Sequence, residues 1–130
     1  MMSILIIMSN TVEVYIFTLF IIYFLSVVLG RYIVSIIFYN LEVNIKEEDP
    51  SNLGRYIGMF ERFLVTTFII SGNFTAIGLI FAGKSVARFK ALDDRKYAEY
   101  YLVGTFCSIS VGIVFGLSYP FLFSFFLKGG

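Results

Sequence analysis

The chain has 130 residues, 58% of them hydrophobic and 15% charged, with a mean hydropathy of +0.87. A soluble chain carries about 45–50% apolar and about 25% charged residues, so this excess exceeds what one small core can bury, and lipid is the natural solvent. With no histidine, one cysteine and a net charge of +1, the composition argues against histidine-dependent catalysis, an intrachain disulfide, the usual zinc ligand sets and a dedicated nucleic-acid binder.

In chain order, the apolar block from Val14 to Leu29 meets Gly30-Arg31 and continues to Leu41. Residues 14–41 predict one membrane-crossing helix about 42 Å long, against a hydrocarbon core of roughly 30 Å. Arg31 then lies near an interface or snorkels towards one. A hairpin turning at Gly30-Arg31 is the alternative, and it leaves neither half long enough to span. Residues 1–9 carry no Lys or Arg and no Ala-x-Ala-like site follows the apolar block, so the start reads as an apolar tail or helix extension, not a cleaved signal.

Residues 42–53 hold four of the nine acids and Pro50 and break the chain; Asp49-Pro50-Ser51-Asn52 suits a turn and a helix start. A second helix is expected over 55–83, charge-free from Phe63 to Ala82. The stretch 84–97 reads as a polar helical connector with a turn near Asp93-Asp94, and a third helix covers 98–119, its end bent by Pro120. The expected fold is an all-α membrane protein, one domain over 1–130, with three transmembrane helices. Three spans put the two ends on opposite sides, and either orientation then sets five Lys and Arg against five. The density of the connector, five basic residues in thirteen, places it and the N-terminus in the cytosol.

Within the spans, the small and polar residues are informative. Gly104, Ser108, Gly112 and Gly116 recur every four residues, a slanting stripe of minimal side chains along which helix backbones can approach closely. The stripe resembles a glycine zipper and predicts packing either between subunits or against the second helix. On one continuous helix Thr67, Ser71, Thr75, Gly78 and Ala82 fall within about a quarter turn, as a packing seam or a pore lining. Asn73 points to the opposite side and is expected against another helix or subunit.

Glu61, Arg62 and Lys84 flank this span and are expected to snorkel at its two ends; a buried ion pair of Glu61 and Arg62 is the alternative. Lys84, Arg88 and Arg95 suit anions, with lipid headgroups as the first partner and a cytosolic protein or phosphate-bearing signal as the sharper one. Glu47, Glu48 and Asp49 read as loop solvation. Asp93-Asp94 lacks further ligands for a metal, and Cys107 reads as a small hydrophobe. No catalytic constellation, metal site or cofactor is expected, and the chain is not read as an enzyme.

Residues 54–117 carry Gly-Arg-x-Ile-Gly-x-x-Glu-Arg at 54–62, Ala76-Ile77-Gly78, Ala82-x-Lys84-Ser85-x-x-Arg88-Phe89, Asp94-Arg95-Lys96-x-Ala98-Glu99-Tyr100 and Gly104-Thr105. This half of the chain resembles the C-terminal membrane hairpin of an uncharacterised bacterial membrane-protein family, catalogued as a domain of unknown function (the DUF3307 type). The resemblance implies a bacterial membrane protein in which Arg62, Lys84, Arg88, Arg95 and Glu99 belong to the shared motif. It lends no activity, and residues 1–53 do not carry the rest of the family's pattern. The expected function is that of a small multi-pass protein of the bacterial cytoplasmic (inner) membrane. It assembles as a homo-oligomer and forms or gates an ion-conducting pore, with the connector as its cytosolic regulatory surface. A non-conducting anchor or structural subunit that recruits a protein partner is the alternative.

Overall fold

The computed structural model describes residues 1–40 and 53–129, and these are all-helical. Helix α1 spans Met2–Asn40 and includes the apolar tail. Helix α2 is Leu53–Ile70, α3 is Thr75–Ala87, a 3-10 turn covers Phe89–Asp93, and α4 is Arg95–Gly129. The turn expected at Asp49-Pro50 and the acids Glu47, Glu48 and Asp49 lie outside the described residues.

Among the described residues only α1 and α4 are long and apolar enough to cross a membrane. Their 39 and 35 residues make rods of about 58 and 52 Å, whereas the 18 of α2 and the 13 of α3 make about 27 and 20 Å. The expectation of three transmembrane helices is therefore corrected to two. The span expected over 55–83 is interrupted at residues 71–74 and folds back on itself as a helical hairpin.

The cause of the break is local. Gly72 adopts φ +75°, its N–H bonds to the Ile69 carbonyl at 3.1 Å, and the Asn73 N–H bonds to the Phe68 carbonyl at 2.8 Å. These two bonds, with a left-handed glycine between them, are a Schellman ending. They satisfy carbonyls that the end of α2 would otherwise leave open. The chain restarts at Thr75 and returns antiparallel to α2, which brings Lys84 back to Glu61 across 23 positions of sequence.

Contacts along the rods set their directions. Tyr15 meets Tyr119 and Phe123 at ring-centroid distances of 6.0 and 6.2 Å, and Phe38 meets Tyr100 at 4.8 Å, so α1 and α4 are antiparallel. Helix α2 runs parallel to α4, Val65 sitting against Gly112 and Ile69 against Gly116. The end of α1, the start of α2, the end of α3 and the start of α4 consequently share one end of the molecule. Of the nine Lys and Arg among the described residues, all but Lys128 belong to that half. The five-against-five tally was thus a product of the three-span reading.

The molecule is polar inside and apolar outside. Among the described residues the buried set contains five hydrophobic side chains, Ile22, Val65, Ile69, Ala76 and Tyr101. It contains seven polar or charged ones: Thr18, Ser26, Glu61, Arg62, Thr66, Thr105 and Ser108. Phenylalanines such as Phe20, Phe74, Phe121 and Phe125 are exposed. Water would penalise that surface, while a hydrocarbon surround favours it and drives polar groups to pair internally.

Helix α4 continues through Pro120 to Gly129, past the end expected at Tyr119. The connector is less helical than expected. Arg88 leaves α3 with φ −112°, ψ 15°, and Asp94 is extended and caps α4, its Oδ1 accepting the Lys96 N–H at 3.0 Å. This cap fixes the turn at the acidic pair.

Candidate functional site

The seam between α1, α2 and α4 is built from small residues that let backbones approach. A Cβ added at Gly112 would lie 2.8 Å from Val65 Cγ1, and one added at Gly116 2.7 Å from Ile69 Cβ. At Gly104 it would meet Phe38 Cζ at 2.9 Å. The stripe Gly104, Ser108, Gly112 and Gly116 thus packs within the chain, against α2 and the end of α1. Helix α1 presents its own row at the same four-residue spacing, Thr18, Ile22, Ser26 and Gly30, all buried.

Hydroxyls fill the upper part of this seam. Thr66 Oγ1 donates to the Gly112 carbonyl at 3.4 Å and lies 2.7 Å from Ser26 Oγ; its single proton is committed, so Ser26 donates to it. By the same reasoning Tyr23 Oη donates to Thr67 Oγ1 at 2.6 Å, since Thr67 already donates to the Phe63 carbonyl at 2.9 Å.

Arg62 occupies the next level, only 3% exposed. Its Nη1 donates to Ser108 Oγ at 3.2 Å and its Nη2 to the Val27 carbonyl at 3.3 Å. Val27 lies in a π-turn, Leu25–Leu29, in which the Gly30 N–H reaches back five residues to the Leu25 carbonyl. Such turns widen a helix and re-aim its carbonyls, and here one of them meets a guanidinium. Gly30 makes room for it, because a Cβ there would come within 2.7 Å of Arg62 Cδ.

One turn nearer the basic end, Lys84 Nζ donates to Glu61 Oε2 at 2.7 Å and to Thr105 Oγ1 at 2.8 Å, and sits 5.2 Å from the centre of the Tyr101 ring. The Glu61 side chain is 2% exposed and that of Lys84 21%. Two polar atoms in the cluster have no hydrogen-bond partner among the described residues, Glu61 Oε1 and Arg62 Nε. Glu61, Arg62 and Lys84, expected to snorkel at opposite ends of one span, therefore gather at the open end of the hairpin. Glu61 pairs with Lys84, and Arg62 turns to α1 and α4.

The remaining expected residues are dispersed. Thr67 is half-buried in α2, whereas Ser71, Thr75, Gly78 and Ala82 are exposed at the tip of the hairpin and along α3. The break at Gly72 divides them between two helices, so the quarter-turn alignment does not form. Asn73 is exposed at the tip. Lys84, Arg88 and Arg95 do not converge. Lys84 is turned inwards, Arg88 donates to the Tyr97 hydroxyl, and Arg95 pairs with Glu99 at 3.2 Å on an exposed face. Cys107 is a free, half-buried thiol. Among the described residues no group of three or more His, Cys, Asp or Glu could hold a metal ion.

The row Thr18, Ile22, Ser26 and Gly30 has a spacing as regular as that of the glycine stripe, and Ser71-Gly72-Asn73 is a turn signal inside the second apolar stretch; both are legible in the sequence. Nothing in sequence flagged the Val27 carbonyl. No protein-family model, curated protein or solved structure matches the chain.

Proposed function

We propose that the chain is an integral membrane protein that assembles with copies of itself and forms or gates an ion path lined by the outer face of the hairpin. The observation that supports this reading is the character of that face. Ser71, Asn73, Thr75, Gly78 and Ala82 are exposed on a hairpin that packs beside two helices of membrane-crossing length. An amide or hydroxyl facing hydrocarbon is costly, and a matching face from a second copy, or water held between copies, removes that cost. Two helices of this length and a short hairpin are too few to enclose a path alone, which is why the reading requires assembly. The basic end then faces the cytosol as a regulatory surface, where anionic headgroups or a phosphate-bearing ligand meet the connector.

Membership of the uncharacterised bacterial family, and with it residence in the bacterial inner membrane, belongs to the same proposal. Its support is that the motif residues Arg62, Lys84, Arg88, Arg95 and Glu99 are all engaged in side-chain bonds at the open end of the hairpin or the start of α4. The concentration of cations at one end also suits a non-conducting anchor that recruits an acidic partner.

Reconstituted protein separates the two readings. Ser71→Leu dries the tip and abolishes conductance in an intact oligomer, because hydrophobic constrictions gate by dewetting, and Ser71→Asp shifts preference towards cations. Ile70→Leu is the control. Equal conductance and ion preference in all three variants, with oligomer size unchanged, removes the hairpin from the path. A non-conducting monomer leaves only the anchor.

A further inference from the structure

Helix α3 is held to the rest of the molecule by few groups. Ala76 is its one buried residue among those described. Phe81 stacks on Phe106 at 5.7 Å, Ser85 Oγ lies 3.5 Å from the Tyr101 hydroxyl, and Lys84 reaches Glu61 and Thr105. Among the described residues Lys84 makes the one ion pair of α3, and Arg88 at its C-terminal end adds a bond to the Tyr97 hydroxyl; the Lys84 counter-ion uses one oxygen for it. The other, Glu61 Oε1, is shielded from solvent and accepts no hydrogen bond from the described residues. Buried carboxylates ordinarily have their lone pairs satisfied, and each exception calls for a reason.

We propose that Glu61 is a proton-binding site, taking a proton on the unpartnered Oε1 from the water at the basic end, and that this proton decides whether α3 stays docked. Lys84, 21% exposed at its side chain, is where water reaches the cluster. Charged Glu61 neutralises the Lys84 ammonium at 2.7 Å. Neutral Glu61 leaves that ammonium half-enclosed, with the Thr105 hydroxyl and the Tyr101 ring in place of a counter-ion. An ammonium without its counter-ion in such a place is strongly disfavoured, and the available relief is for Lys84 to swing to water and carry α3 with it.

The other charged and titratable groups around the cluster do not replace Glu61. Arg62 follows it on α2, Arg31 of α1 acts on Arg62 as a like charge, and Tyr101 of α4 offers Lys84 only its ring face. The sign follows. The docked form binds one proton fewer than the undocked form, so docking weakens as pH falls.

The test is a distance measurement on the full chain in lipid nanodiscs, with spin labels at Leu79→Cys on α3 and Val114→Cys on α4 in a Cys107→Ser background. Both label sites are exposed, and excess unlabelled chain keeps the distances intramolecular. On acidification from neutral pH the longer-distance population grows, by about tenfold per pH unit on the steep part of a one-proton transition. Glu61→Gln removes the response. Lys84→Gln removes or reverses it, since the stranded charge is then the carboxylate, which acid neutralises. A distance distribution independent of pH in the parent chain overturns the proposal, as does a response of the parent's direction surviving in either variant. The measurement reads docking and not conductance, so its failure and that of the ion-path reading are distinguishable.

Discussion

Glycine has two opposite meanings along this chain, and substitutions separate them. At Gly112 a side chain would collide with Val65 and approach the Arg62 carbonyl; neither belongs to a flexible tip that can step aside. Gly112→Leu is expected to lower stability by at least about 1–3 kcal/mol, the ordinary cost of overpacking, seen as a fall in thermal midpoint in detergent. At Gly78 nothing lies within 4 Å, and Gly78→Ala within one isolated chain gains up to about 1 kcal/mol of helix propensity. If copies associate through the hairpin face, Gly78→Ala weakens assembly while leaving the monomer intact, which size-exclusion chromatography detects. Gly112 was legible in sequence as part of a four-residue repeat; the partner filling the gap was not, because a stripe carries no address.

At the level of elements, the decisive one is the hairpin. An average of apolarity over 63–82 cannot see that Gly72 takes a left-handed backbone, yet that residue converts a stretch of spanning length into two shorter helices. Open space surrounds Gly72, so its substitution costs conformation alone. Gly72→Ala is expected to destabilise the fold by about 1–2 kcal/mol, and Gly72→Asn by less, since asparagine tolerates this region better. Equal midpoints for both variants and the parent chain, measured by thermal unfolding, would show that the turn does not need its glycine. The Ser-Gly-Asn run was a visible signal, but turn residues inside an apolar segment compete with hydropathy. The contact that the hairpin makes, Lys84 with Glu61 across 23 positions, lies in no local window.

For the molecule as a whole, two crossing helices and a hairpin entering from one end put Met2 and Lys128 together and the connector opposite them. A thiol at Met2→Cys or Lys128→Cys, in a Cys107→Ser background, is expected to react with an impermeant reagent on intact cells, while Lys90→Cys is protected. Labelling of Met2 and Lys128 from opposite sides would restore a third crossing and remove the hairpin. Composition and periodicity alone determined that the chain is helical, that its surface suits lipid, where the polar connector lies and which face of the last helix is small. Those properties follow from single residues and their immediate spacing, through transfer free energy and the 3.6-residue turn. Only the tertiary structure decided how many helices are long enough to cross a membrane, the end at which the charges gather and the partners of Glu61, Arg62 and Lys84. Buried charges choose among all the counter-ions and carbonyls that folding brings within reach, here the carbonyl of a π-turn 35 residues away from Arg62, and that choice is made in space.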